Sequence, residues 1–236
     1  MTNGYLRRVS SVGAIGRAVA TSACALLLMS ASALAETKFD KVAVYFERNA
    51  ADDDIEVRFL ATANEKGLVE LRVTAPDGRI VVDFKAPDSR IGIRTFDLET
   101  PEPALNDGRL QKDFPTGVYR FEGTEVGGEK LKGEATLDPT IPDAPTITSP
   151  EKDRRDIPTK GARIRWQAVK DAVAYVIALE DEEKERTLKV TLPGDSTSLS
   201  IPDNFMSGGT KYTLEVGAVL KNGNRSFQEF EFTSKK

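Results

Sequence analysis

From Lys41 onward, apolar side chains recur at every second position in short runs, and Gly, Pro, Asn or Asp cuts each run before it can lengthen. A strand turns successive side chains to opposite faces, so this period gives each segment one apolar face and leaves no helical stripe. Ile55-Glu56-Val57-Arg58-Phe59 and Leu188-Lys189-Val190-Thr191-Leu192 show the pattern, and Lys211-Tyr212-Thr213-Leu214-Glu215-Val216 extends it further. Turn signals return about every 8–12 residues, which predicts β-sandwiches. The expected fold is all-β, with two tandem antiparallel β-sandwiches.

The C-terminal half carries Arg163-Ile164-Arg165-Trp166, then Ala174 to Leu179, an acidic turn from Glu180 to Glu185, Leu188 to Leu192, and Ser198 to Ile201 before Pro202. Lys211 to Ala218 follows, then the hairpin turn Asn222-Gly223-Asn224, then Phe227, Phe230 and Phe232. Trp166, Tyr175 and Tyr212 sit on alternating runs, so their expected role is core packing rather than ligand contact. In the N-terminal half, Leu68 to Val73 leads into Ala75-Pro76-Asp77-Gly78-Arg79 and Ile80 to Phe84 returns. Proline presets φ and glycine accepts positive φ, so this is a hairpin. Ile91 to Leu98 reads as a further strand, and Val118 to Glu122 turns at Gly127-Gly128 into a terminal hairpin ending at Leu137.

These residues carry a resemblance. The segment from about Pro142 to Thr233 resembles a fibronectin type III domain. It has the entry Pro142-Asp143-Ala144-Pro145, Trp166 in the strand-B position, Tyr175 after Asp171-Ala172, and the G-T-x-Y-x-L segment Gly209 to Leu214. The resemblance implies that Tyr212 forms a tyrosine corner, its hydroxyl bonding upstream backbone. It also implies a module that spaces, binds protein or binds carbohydrate. Asn222 to Arg225 stand where some members carry R-G-D, so integrin-type adhesion is not carried over. Phe114-Pro115-Thr116-Gly117-Val118-Tyr119-Arg120-Phe121 resembles an edge of bacterial immunoglobulin-like domains. The chain is also similar to a family of uncharacterised exported bacterial proteins that join such a domain to a type III module. The expected organisation is a signal peptide (1–35), an immunoglobulin-like sandwich (36–138), a proline-containing linker (139–143) and a fibronectin type III-like sandwich (144–236). Two prolines in Asp138-Pro139-Thr140-Ile141-Pro142 make that linker short and stiff.

Residues 1–35 read as a cleaved secretory signal: Arg7, Arg8 and Arg17 precede or enter an apolar stretch, and Ala33-Leu34-Ala35 gives an A-x-A site. A retained membrane anchor is the alternative, but Ala25 to Met29 is short against the roughly 20 apolar residues a span needs. Arg7-Arg8 lacks twin-arginine flanks, and Cys24 lacks the leucine of a lipoprotein site. Cys24 is the one cysteine, so a processed chain forms no disulfide. The whole chain has 33 basic and 37 acidic residues; the leader holds three arginines and no carboxylate, leaving a processed net charge of about −7. Such a chain repels phosphate backbones, so no nucleic-acid partner is expected.

Histidine is absent, which removes Ser-His-Asp and Cys-His catalysis and every His-based zinc site. No phosphate-binding glycine pattern appears. Glu99 and Glu102, beside the long Thr100–Gly108 loop, are the candidate carboxylate pair for a glycan-acting enzyme, but nothing in the sequence positions them against a sugar. The densest polar cluster runs from Glu47 to Asp54. Its candidate calcium ligands are Glu47, Asn49, Asp52 and Asp54, since calcium takes carboxylate and carbonyl oxygens from a flexible loop. No EF-hand spacing accompanies them, and a solvated turn is the alternative. No other cofactor is expected. The charge run Glu180 to Arg186 is expected to keep a strand edge soluble.

The expected function is therefore a non-catalytic, exported binding or spacer protein of the bacterial envelope, periplasmic or extracellular, working through sandwich loops or sheet edges. Its expected partner is an envelope protein or polysaccharide, with membrane contact only through the signal peptide before cleavage. An accessory subunit of an exported assembly and a carboxylate-dependent glycan-acting enzyme are the alternatives.

Overall fold

The computed structural model describes residues 37–101 and 109–236. The expected leader and Glu102, with the rest of its loop, lie outside the described residues.

The N-terminal strands are β1 (Thr37–Lys38), β2 (Lys41–Asn49), β3 (Asp54–Thr62), β4 (Leu68–Thr74), β5 (Ile80–Lys85), β6 (Thr95–Glu99), β7 (Gly117–Glu125) and β8 (Lys130–Leu137), with one helical turn, α1 (Arg109–Asp113), before β7. One sheet has the order β1-β8-β7-β4-β5 and the other contains β2-β3-β6. Between them lie Val44, Phe46, Ile55, Val57, Phe59, Leu71, Val73, Tyr119 and Phe121. The Pro76-Asp77-Gly78 turn forms as the sequence predicts: Gly78 has φ of 87°, and its N–H donates to Ala75 O at 3.0 Å.

The C-terminal strands are β9 (Ile147–Ser149), β10 (Arg163–Trp166), β11 (Ala172–Asp181), β12 (Arg186–Pro193), β13 (Ser198–Ser200), β14 (Lys211–Leu220) and β15 (Arg225–Thr233). Here β13-β10-β9 faces β12-β11-β14-β15. Ile164, Trp166, Tyr175, Ile177, Leu179, Tyr212, Leu214, Val216 and Phe232 fill the space between, so all three diagnostic aromatics are core residues. This is a fibronectin type III-like fold of three strands against four. The N-terminal half repeats the strand order: β2-β3-β6 matches β9-β10-β13, and β8-β7-β4-β5 matches β15-β14-β11-β12.

Each half has a tyrosine corner. The Ser207 N–H donates to Tyr212 Oη at 2.7 Å, as the resemblance implies. In β7, which corresponds to β14, Tyr119 Oη donates to Pro115 O at 3.0 Å. The sequence does not announce this second corner: the partner of Tyr119 lies four residues upstream, whereas that of Tyr212 lies five.

Two local expectations need correction. The strand read over Ile91–Leu98 is only Thr95–Glu99. Gly92 crosses the Lys66–Gly67 backbone so closely that a Cβ there would lie 2.3 Å from Lys66 O. That crossing breaks the run, and Ile91 is left 54% exposed. The connection before β7 also contains α1, whose single buried residue is Leu110. One apolar residue in a five-residue turn leaves no periodicity to detect.

The larger departure is that the sandwiches share a sheet. Strand β15 pairs with β2 in parallel, matching Arg225 with Glu47, Ser226 with Arg48 and Phe227 with Asn49. The result is one seven-stranded sheet, β12-β11-β14-β15-β2-β3-β6, running through both halves. The chain from Glu36 to Lys236 accordingly forms one compact unit.

Candidate functional site

The long sheet has one face in the two cores and one turned outward. On β2, Val44 and Phe46 point inward, so Tyr45 and Glu47 point out; on β3, Glu56 and Arg58 point out between Ile55, Val57 and Phe59. On β15, Phe230 and Phe232 are core residues, which turns Phe227 and Glu229 outward.

The seam between the halves lies under this face. Arg225 stacks over Tyr45, with its guanidinium carbon 4.2 Å from the ring centroid, and reaches Glu47 Oε2 at 3.6 Å. Tyr45 and Phe227 are both buried although they face outward, at 6% and 7% exposure. Gly217 makes room for Phe227: a Cβ at Gly217 would lie 2.1 Å from the ring. A β-carbon cannot sit there, so glycine on β14 is a requirement of this packing.

Beside the seam is a dense charge cluster. Arg58 Nη1 lies 3.4 Å from Glu47, 3.1 Å from Glu56 and 2.9 Å from Glu99, and Nη2 lies 3.0 Å from Asp97. One guanidinium thus faces four carboxylates on three adjacent strands. Burial pushes the Glu56 carboxyl up to about 7, against the pull of Arg58. Burial also raises Glu215 on β14 to about 7; Glu229 directly opposite adds to this, Lys189 opposes it, and Glu47 and Glu180 add more.

At the ends of β14 and β15, the turn Asn222-Gly223-Asn224 clamps the linker. Asn224 is fully buried, and its Oδ1 accepts from Phe46 N at 2.8 Å. Its Nδ2 donates to Asp138 O at 2.7 Å and Thr140 O at 2.6 Å. Asn222 Nδ2 donates to Thr140 O at 3.0 Å, and Ser226 Oγ donates to Pro142 O at 2.8 Å. The Ala50 N–H donates to Phe227 O at 2.9 Å. Buried backbone groups need partners. Here the linker carbonyls find theirs in side chains of the opposite sandwich.

The calcium candidates are divided. Glu47 belongs to the Arg58 and Arg225 network. Asn49 turns its Nδ2 to Asp52 Oδ2 at 2.9 Å and its Oδ1 to Ala51 N at 2.9 Å, closing the hairpin tip. Desolvation and then the neighbouring Asp52 raise the Asp54 carboxyl above its ordinary value. Among the described residues, no three acidic, His or Cys side chains gather as a metal cluster would. Glu99 is bound to Arg58, and its expected partner Glu102 lies outside the described residues. In the charge run, Asp181 is buried and holds Arg186 Nη2 at 2.7 Å, so these two residues stabilise the turn rather than project from it.

A trough of about 600 Å³ lies on the outer face of the β8-β7-β4-β5 sheet. Two cross-strand rows line it: Lys85-Glu70-Thr124-Lys130 and Asp83-Arg72-Glu122-Lys132. Glu70 is shared among Lys85 at 3.3 Å, Lys130 at 3.6 Å and the Thr124 hydroxyl at 2.7 Å, and Arg72 meets Asp83 at 3.2 Å. Opposite charges across strands stabilise the sheet and leave little unspent charge for a ligand.

No family model matches the chain. Among solved structures, it is similar to fibronectin(III)-like modules of CbhA from Clostridium thermocellum, with 9% identity over 86% of this chain and 92% of that one and a TM-score of 0.34. It is similar to the FN1–FN3 domains of chicken CNTN1 at 10% identity, covering 85% of this chain and 65% of that one, with a TM-score of 0.34. A two-domain fibronectin type III segment of chicken tenascin gives 11% identity, 82% and 98% coverage, and a TM-score of 0.31.

Proposed function

We propose that the protein is a non-catalytic, exported binding or spacer protein of the bacterial envelope, whose two sandwiches (36–138 and 144–236) act as one stiff body. The observation that carries this is the seam. Backbone pairing of β15 with β2, the Asn224 clamp and the Arg225–Tyr45 stack lock what would otherwise be a hinge. Tandem domains move relative to one another unless a large interface prevents it. A body fixed in this way presents its loops and sheet edges to an envelope protein or polysaccharide at a set spacing. Processing after Ala35 would deliver it to the periplasm or beyond.

Backbone ¹⁵N relaxation tests the stiffness. Amides of β3 and β11 should report a single rotational correlation time. Distinct times for the two halves would remove the reading. Intact mass of the protein recovered from the cell envelope tests the export step, with a chain beginning at Glu36 expected.

A further inference from the structure

We propose that the free edge of β12 is a self-association site, pairing in antiparallel fashion with β12 of a second copy about a two-fold axis at Val190. Open sheet edges attract other strands, and proteins blunt them by brevity, bulges or charge. The outermost strands at the other described edges are short, charged or irregular. β1, β9 and β13 have two or three residues, β6 has five with Asp97 and Glu99 among them, and β5 carries a register shift against β4. β12 has eight residues and pairs with β11 over its whole length without a shift. Its two ends are secured: Arg186 is tied to Asp181, and Gly194 turns tightly against Ala172. That leaves Thr187-Leu188-Lys189-Val190-Thr191-Leu192, a segment whose one charge is Lys189.

The sequence of this edge selects the occupant. In an antiparallel two-fold pair, residues opposite one another must share a face. A register centred on Lys189 would set Lys189 against itself. The register centred on Val190 sets Val190 against Val190 and Leu188 against Leu192 on the core side, with Lys189 against Thr191 on the outer side. Leu188, Val190 and Leu192 are all only half-buried, and Leu188 and Leu192 already rest on the core. A second copy would complete their cover. Lys189 therefore excludes the register centred on itself, and the Val190 register alone sets Leu188 against Leu192.

The test is sedimentation velocity on the protein and two variants, with circular dichroism as the folding control. Thr191 is exposed, so Thr191→Lys leaves each copy folded while opposing Lys189 with a second lysine twice per dimer. The wild type is expected to be a dimer, and Thr191→Lys should weaken it by about tenfold or more. Adding Lys189→Glu to Thr191→Lys turns each repulsion into an ion pair and should restore the dimer. A wild type that stays monomeric at about 100 μM overturns the proposal. A dimer indifferent to Thr191→Lys places association on another surface and overturns it equally. Failure of the double variant to recover rejects the Val190 register. None of these outcomes bears on the stiffness of the monomer.

Discussion

Replacing Asn224 by alanine should uncouple the two sandwiches. The side chain makes three hydrogen bonds across the joint, to Phe46 N, Asp138 O and Thr140 O. Thr140 O keeps a second donor in Asn222, so the variant strands two groups, the Phe46 N–H and the Asp138 carbonyl. A buried polar group left without a partner costs about 1–3 kcal/mol, and relaxation toward water at the linker reduces the second, so the loss should be about 2–4 kcal/mol. Urea unfolding followed by two probes measures it. Trp166 is the lone tryptophan and sits in the C-terminal core, so its fluorescence reports that half; far-UV circular dichroism reports both. The wild type should give coincident transitions, as one cooperative unit does. The variant should lower the midpoint and separate the two curves. Asn224→Asp is the sharper probe, because it keeps an acceptor for Phe46 N but sets a carboxylate oxygen against the Asp138 carbonyl; it should be worse than alanine. If Asn224→Ala changes stability by less than about 0.5 kcal/mol and the probes stay coincident, the clamp is not what joins the halves.

Tyr119→Phe and Tyr212→Phe each remove one corner hydrogen bond and should cost about 1–2 kcal/mol in thermal unfolding; no loss from Tyr119→Phe would deny the second corner its role. The Glu215 carboxyl is raised from 4.5 to about 7 in the folded chain, so the folded state binds more protons than the unfolded one in that window. Stability should fall as pH rises from about 4.5 to 7 and level off above it; Glu215→Gln should remove part of that slope, Glu56 supplying the rest, and an unchanged slope in chemical denaturation would contradict the burial argument. Because Glu47 is held by arginines while Asn49 bonds Asp52, the melting temperature should be the same in millimolar calcium and in chelator. A rise of several degrees with calcium would mean that the hairpin tip rearranges around a cation.

Alternation made the two cores legible. Ile164, Trp166, Tyr175, Ile177, Tyr212 and Leu214 lie where period two puts them, because each of these strands has one wet face and one dry face. The seam was harder to read because a three-residue parallel pairing between remote segments has no period of its own. It did leave marks. Val42-Ala43-Val44-Tyr45-Phe46 is apolar without alternation, which is what a strand covered on both faces looks like. Phe227 stands three residues before Phe230 and so has the opposite parity to Phe230 and Phe232, which places one aromatic on the wrong side for a simple sandwich. The sequence reading of Asn222-Gly223-Asn224 as a hairpin turn was correct in conformation, since Gly223 has φ of 92°. Turn chemistry explains a polar residue there but not its complete burial, and burial depends on what the linker does.

The joint shows why a clamp of this kind is built from asparagine. A β-edge and a linker present both kinds of backbone group, an N–H from Phe46 and carbonyls from Asp138 and Thr140. Serine offers a shorter reach, glutamine a longer and more mobile one, and aspartate only acceptors. The asparagine amide supplies an acceptor and two donors at fixed angles on a short stem, so ordering it costs little rotamer freedom. The same economy governs the outward face. Gly217 admits Phe227, Phe227 and Tyr45 cover the seam, and Arg225 closes over Tyr45 while answering Glu47. The Asn224 bond to Phe46 and the Arg225 contacts with Tyr45 and Glu47 form only when both sandwiches are present. Stiffness is therefore a property of the contacts that cross between the halves, and it should weaken when Asn224 or Arg225 is removed.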